Sequence, residues 1–206
     1  MTRKVSPKTS RGVRRGQRLT NCSHDRCYNA FTLIELIVVV SIIAVLGALV
    51  LSTAGYARKK GARARAETEI AAMSAACENY KADNGVYPAN SDTNALNAQT
   101  SVDPSAYQAA SLYLYNALFG ATAGSRTPNT GARSYFVFKP NMLFPADQTQ
   151  TVQYIQDPFG YSYGYSTIDN PVANSNPTPG YNPTFDLWST GGGTTTSDVP
   201  KWIKNW

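Results

Sequence analysis

A chain of 206 residues with 42% hydrophobic content has the size of one domain with appendages, and its net charge of +6 has meaning only once it is located. Residues 1–30 carry eight basic side chains (Arg3, Lys4, Lys8, Arg11, Arg14, Arg15, Arg18 and Arg26) against Asp25, a net +7, whereas the other 176 residues carry 11 Lys/Arg and 12 Asp/Glu, a net −1. The basic character belongs to the N-terminal segment, which excludes nucleic-acid binding by the folded part.

Residues 1–30 are polar, broken by Pro7, Gly12 and Gly16, and hold nothing that builds a core. They read as a basic targeting leader, outside the fold. Cys22, His24 and Cys27 fall short of the four ligands of a structural zinc site, and no fourth follows at a suitable spacing.

From Phe31 to about Tyr56 the chain is nearly continuously apolar, with Glu35 as its single charge. As a helix rising 1.5 Å per residue, such a run covers roughly 40 Å, more than a hydrocarbon core of about 30 Å. It has no polar face, unlike a helix that lies on a membrane surface. A secretory signal peptide would have a shorter apolar stretch, placed before its cut. The leader's charge predicts a cytoplasmic N-terminus. Arg58, Lys59, Lys60, Arg63 and Arg65 follow the run and argue the other way; eight cations against five still favour N-in, and the second cluster calls for its own explanation.

Beyond residue 57 the pattern changes to an amphipathic one. Ala62, Ala66, Ile70, Met73, Cys77 and Tyr80 recur at three- and four-residue intervals, one stripe of a helix with charged residues between. Asp83-Asn84-Gly85 supplies a stop and Pro88 forbids continuation. The expectation is one helix of more than 50 residues, with a membrane half at 31–57 and an amphipathic half at 58–84. A soluble head at 85–206 packs on that second half.

Within the head, Ser105–Phe119 reads as a second helix, begun by Asp103-Pro104 and ended by Gly120. Ser134–Lys139, Thr151–Ile155, Tyr161–Ser166 and Thr184–Ser189 are rich in β-branched and aromatic residues and read as strands. Prolines 171, 177, 179 and 183 bar the segment 169–183 from a sheet interior. The Gly191-Gly-Gly-Thr-Thr-Thr-Ser-Asp segment is a loop, and Val199–Trp206 closes the chain. The fold class expected is α+β: a long N-terminal helix packed on a small C-terminal antiparallel sheet.

Catalytic signatures are scarce. The one histidine, His24, lies in the leader, which removes Ser–His, Cys–His and His-based metal sites from the remainder. Gly191–Gly193 lacks the Lys and the helix of a phosphate loop. Cys77 reads as a small buried hydrophobe, and the tyrosines of 161–165 as a packed strand. A non-enzymatic protein is expected.

The ten residues Ala30-Phe-Thr-Leu-Ile-Glu-Leu-Ile-Val-Val39, directly after a basic leader, resemble the N-terminal cleavage and methylation motif of type IV pilins and type II secretion pseudopilins. The resemblance implies cleavage between Ala30 and Phe31 by a membrane-embedded prepilin peptidase and N-methylation of Phe31. It also implies that the new α-ammonium pairs with Glu35 of a neighbouring subunit during assembly. A carboxylate inside a membrane span costs on the order of 3 kcal/mol unless paired, so the sequence independently asks for a partner. Gly is usual before the cut in the family, and here Ala30 stands there.

Asp83-Asn-Gly-Val-Tyr-Pro88 resembles the segment that ends the long helix in pseudopilins, and Asp157-Pro-Phe-Gly-Tyr-Ser-Tyr-Gly-Tyr165 and Phe185-Asp-Leu-Trp-Ser-Thr-Gly-Gly192 resemble elements of the major pseudopilin, general secretion pathway protein G; residues 89–156 are not covered. This implies a pilin-like fold and a subunit held in the inner membrane by one pass, with the head periplasmic. Such a subunit joins like subunits and minor pseudopilins in a pseudopilus, on an inner-membrane assembly platform. It also implies a calcium ion in the loop after the last strand, for which the Leu187 carbonyl, Ser189 and Asp198 are the matching donors. The second acidic residue usual in that loop is replaced by Gly191–Gly193 and threonines. No other cofactor is expected.

Overall fold

A computed structural model of the chain describes residues 31–206. The leader and Ala30 lie outside the described residues. Contacts divide the chain into two units, the first ending at Gly47 and the second spanning Ala48–Trp206.

Helix α1 runs over Leu33–Asn84, 52 residues, as the sequence predicts. It stops where the Asp-Asn-Gly signal stands: Gly85 adopts φ +79° and its amide donates to the Lys81 carbonyl at 2.7 Å, the left-handed turn that an L side chain resists. Every residue from Phe31 to Leu51 is exposed. In the second unit the stripe turns inward. Ala66, Ile70, Met73 and Cys77 are buried, Ala76 joins them, and Ala62 and Tyr80 are half-buried at the edges.

The head surrounds that stripe. Helix α2 is a single turn, Ser91–Ala95, closed by a capping box in which Asn90 and Thr93 exchange side-chain-to-backbone hydrogen bonds. A 3₁₀ turn at Pro104–Tyr107 leads into α3, Gln108–Phe119, which ends on Gly120 at φ +77°. The expected 105–119 helix is therefore one element whose first turn is wound tighter.

Two small antiparallel sheets follow. Strands β1 (Leu143–Phe144) and β2 (Tyr154–Ile155) pair Leu143 with Ile155, and the Phe144 and Tyr154 rings stack at 4.7 Å. Strands β3 (Gly164–Ser166), β4 (Asp186–Ser189) and β5 (Ile203–Lys204) form a three-stranded sheet with β4 central. Its register sets Gly164 opposite Trp188 and Ser189 opposite Ile203. The three later expected strands thus exist, shorter than expected.

The Ser134–Lys139 strand does not form. The Tyr135 and Phe136 amides both donate to the Leu118 carbonyl at the end of α3, at 2.7 and 3.0 Å, so no ladder partner is available to them. The segment instead works as an aromatic anchor, with Phe138 buried against the Tyr115 ring at 5.1 Å.

Two contiguous apolar clusters result. The larger joins Ala66, Ile70, Met73 and Cys77 of α1 to Leu114 and Leu118 of α3, to Ile155, Tyr165 and Leu187 of the sheets, and to Tyr163 just before β3. The smaller gathers Leu96, Tyr107, Ala110, Trp188 and Trp202. Burying these side chains supplies the main driving force for attaching the head to the amphipathic half of α1. Polar pins fix the register. Tyr163 Oη donates to Glu69 Oε2 at 2.8 Å, Arg65 Nε meets Glu69 Oε1 at 2.6 Å, and Tyr165 Oη donates to the Pro88 carbonyl at 2.9 Å.

Candidate functional site

The N-terminal segment is built from its capping chemistry upward. Thr32 precedes the first helical residue, Leu33, and Glu35 is the third. The Thr32 amide and hydroxyl both donate to Glu35 Oε2, each at 2.8 Å, and the Glu35 amide approaches Thr32 Oγ1 at 3.3 Å. This reciprocal arrangement satisfies amides that a helix start leaves orphaned, and it sets a negative charge at the positive end of the helix dipole. Sequence reasoning singled out Glu35 and missed Thr32; the Thr-x-x-Glu spacing was the available signal.

Both bonds from Thr32 end on the same carboxylate oxygen. Glu35 Oε1 takes no hydrogen bond among the described residues, so the side chain keeps an acceptor for a second cation. Phe31, adjacent to Thr32, is 82% exposed. A chain beginning at Phe31 would place its α-ammonium within one helical turn of Glu35.

The rest of the segment is made for an apolar surrounding. The most apolar 18-residue window of α1 has a mean hydropathy of 3.0 and none of it is buried within the protein. Its one hydroxyl-bearing residue before Leu51, Ser41, returns its proton to the Val38 carbonyl at 2.8 Å, so it adds no unsatisfied donor. One long apolar helix of this kind fits a membrane-anchored subunit.

The second candidate, the loop after β4, is arranged differently from the expected metal cage. The Leu187 carbonyl accepts the Asn205 amide at 3.2 Å. Ser189 Oγ donates to Asp157 Oδ2 at 2.5 Å and accepts the Gly191 amide at 3.1 Å. Asp198 accepts the Thr195 hydroxyl at 2.6 Å and carries the Lys201 ammonium at 3.1 Å. Calcium asks for six to eight oxygen donors, several of them carboxylate. Here Asp198 already holds a cation, the Ser189 hydroxyl is turned to Asp157, and the described residues contain no cluster of three or more His, Cys, Asp or Glu. Each of the three expected donors is thus already hydrogen-bonded or paired within the protein.

Asp157 is the organising residue that sequence reasoning passed over. Besides the Ser189 hydroxyl on Oδ2, its Oδ1 accepts the Phe159 and Tyr161 amides at 2.9 Å each, which closes the Asp-Pro-Phe-Gly turn onto β4. Burial raises its carboxyl above the ordinary carboxylate range, opposed by the hydrogen bonds from Ser189, Tyr161 and Phe159. Cys77 is fully buried beneath the head, and desolvation pushes its thiol far up, so it is an inert core side chain.

Comparison with known proteins places a name on one segment. A family model described as the prokaryotic N-terminal methylation motif matches residues 25–51. No curated protein and no solved structure matches the chain. The matched span contains Ala30, Phe31, Thr32 and Glu35 and most of the exposed apolar half of α1. Such a motif implies processing by a prepilin peptidase and polymerisation. The chain carries a prepilin-type N-terminal methylation motif followed by an α+β head.

Proposed function

We propose that this protein is a pseudopilin subunit of a type II secretion-like system. The observation that carries the reading is a helix start, inside the matched span 25–51, in which Glu35, the one charge of an exposed apolar run, lies within one turn of Phe31 and keeps one carboxylate oxygen without a hydrogen bond among the described residues. Prepilin peptidase cuts between Ala30 and Phe31 and Phe31 is N-methylated. The new ammonium then meets Glu35 of a neighbouring copy as apolar halves pack together. A buried pair of this kind fixes register more than it adds stability.

The subunit waits in the inner membrane with its N-terminus cytoplasmic and its head periplasmic, and then joins a periplasmic pseudopilus with minor pseudopilins on an inner-membrane assembly platform. Such a fibre drives folded substrates outward. The role is structural: after residue 30 the sequence holds no histidine and its only cysteine is Cys77, so nucleophilic chemistry has little to work with.

A surface type IV pilin is the second reading. Many such pilins close a C-terminal disulfide loop, which a single Cys77, buried in the core, cannot make. Crosslinking of the processed protein in its own membrane separates the two. Stoichiometric contact with an inner-membrane secretion platform supports the pseudopilin, recovery in sheared surface fibres supports the pilin, and a monomer alone contradicts both.

A further inference from the structure

The cations that follow the apolar run do not all serve the fold. Arg63 Nε pairs with Glu67 at 3.3 Å and its Nη1 donates to the Lys201 carbonyl at 2.7 Å, while Arg65 is occupied by Glu69. Arg58, Lys59 and Lys60 are exposed and have no acidic partner among the described residues. Tyr56, 72% exposed, stands one turn before them.

Tyr56, Lys59 and Lys60 share a cleft. Tyr56, Lys59, Lys60, Arg63, Phe159, Gly191 and Lys201 line about 470 Å³. Phe159 is held there by the Asp157 turn on one side and by close packing of Gly192 on the other, where an added Cβ would meet its ring at 3.3 Å. Two of the four cations are offset, Arg63 by Glu67 and Lys201 by Asp198, which leaves Lys59 and Lys60 uncompensated.

The geometry points to a binding site for the headgroup of an anionic phospholipid, formed where the amphipathic half of α1 meets the Asp157 turn and the loop after β4. This rests on the membrane reading of residues 31–57. Given that reading, Tyr56–Lys60 emerge at the lipid–water boundary, the depth at which an aromatic ring and lysines settle against phosphates. An aromatic floor with an ammonium rim suits a phosphate that carries a glycerol and acyl chain better than free phosphate, which has no apolar part to cover Tyr56 and Phe159. The site also gives the second cationic cluster a role. Cations beyond the span work against an N-in topology, and anionic lipid on that face is a counter-charge for them.

The test uses the full chain incorporated into vesicles of phosphatidylcholine alone or with phosphatidylglycerol, compared with Lys59→Gln/Lys60→Gln and with a triple variant that adds Lys201→Gln. Gln keeps helix propensity at exposed positions, and unchanged tryptophan fluorescence verifies the fold. Flotation with pure phosphatidylcholine reads membrane insertion by itself; failure there overturns the membrane reading and the proposal with it. Lipids retained by the extracted protein, measured by native mass spectrometry from mixed vesicles, read the site. The wild type is expected to favour phosphatidylglycerol over phosphatidylcholine by about tenfold or more, and the triple variant to fall to near parity. An unselective wild type, or a triple variant with undiminished preference, overturns the proposal. So does displacement of the lipid by inorganic phosphate at equal concentration, or crosslinking of Lys59 and Lys60 to acidic residues of a second copy in place of lipid.

Discussion

Glu35 Oε2 accepts both the amide and the hydroxyl of Thr32 at 2.8 Å, so the carboxylate proposed above to meet a neighbouring subunit is already engaged in starting its own helix. The two roles are separable by chemistry. A capping box accepts Gln almost as well as Glu, whereas an ammonium from a neighbouring copy needs the charge.

Glu35→Gln is therefore expected to leave cleavage intact and to abolish polymer. Substituting Gln leaves the neighbour's ammonium unpaired in an apolar surrounding, a cost of roughly 3–5 kcal/mol per contact. Thr32→Val, which removes the cap hydroxyl, costs the helix start only about 1 kcal/mol and lowers polymer yield far less. Crosslinked-ladder yield from membranes, read beside the mature N-terminus, checks both. Wild-type ladders from Glu35→Gln would remove the charge from the assembly step.

Tyr163→Phe probes how the head is pinned to α1. Its hydroxyl donates to Glu69 Oε2, a carboxylate whose side chain is only 11% exposed and whose other oxygen is held by Arg65. Deleting that donor leaves a half-buried acceptor short of a partner, and a loss of roughly 1–3 kcal/mol is expected in thermal or denaturant unfolding of the head. Tyr161→Phe, lacking such a contact, serves as the comparison and is expected to be near neutral.

Gly164→Ala is expected to be more damaging than its single methyl suggests. A Cβ at this position would lie 2.2 Å from Trp188 Cε2, its cross-strand partner, and Trp188 is packed against Tyr107 and Trp202 with no room to retreat. The expected loss is roughly 1–3 kcal/mol, with a changed tryptophan emission as the indole cluster shifts.

Asp157 gives a pH dependence opposite in sign to ordinary acid denaturation. Its folded pKa is raised by burial, so the native state takes up a proton before the unfolded chain does. The resulting stability is fully present below the unfolded value near 3.8 and is lost as pH rises through the folded pKa. Melting of wild type minus Asp157→Asn is therefore expected to be more positive at about pH 4 than at about pH 7. Asp186, also raised by burial, and the exposed Asp103 and Asp147 and half-buried Asp198, lowered by local hydrogen bonds, are common to both proteins and cancel in the difference.

The long helix was legible because its signals are local and periodic. Ala66, Ile70, Met73 and Cys77 repeat at helical spacing, and Gly85 stops the run whatever packs nearby. Residues 134–139 were not legible. Their composition asks for a strand, but the Leu118 carbonyl captures the Tyr135 and Phe136 amides, a contact that no local pattern encodes. Strands β1 and β5 are two residues each, too short to show alternation. At the helix start the sequence showed Glu35 as the one charge in an apolar run, while Thr32 passed for an ordinary polar residue until its hydrogen bonds were seen. Asp157 was read within an Asp-Pro-aromatic-Gly turn, and its bond to Ser189 crosses 32 residues.

The most direct test of the central claim is intact mass with N-terminal analysis of the protein extracted from its native membrane. The account predicts a chain that begins at N-methylated Phe31 and keeps Cys77 as its single cysteine, Cys22 and Cys27 having left with the leader. A chain that retains residues 1–30, or begins at any residue other than Phe31, would contradict it.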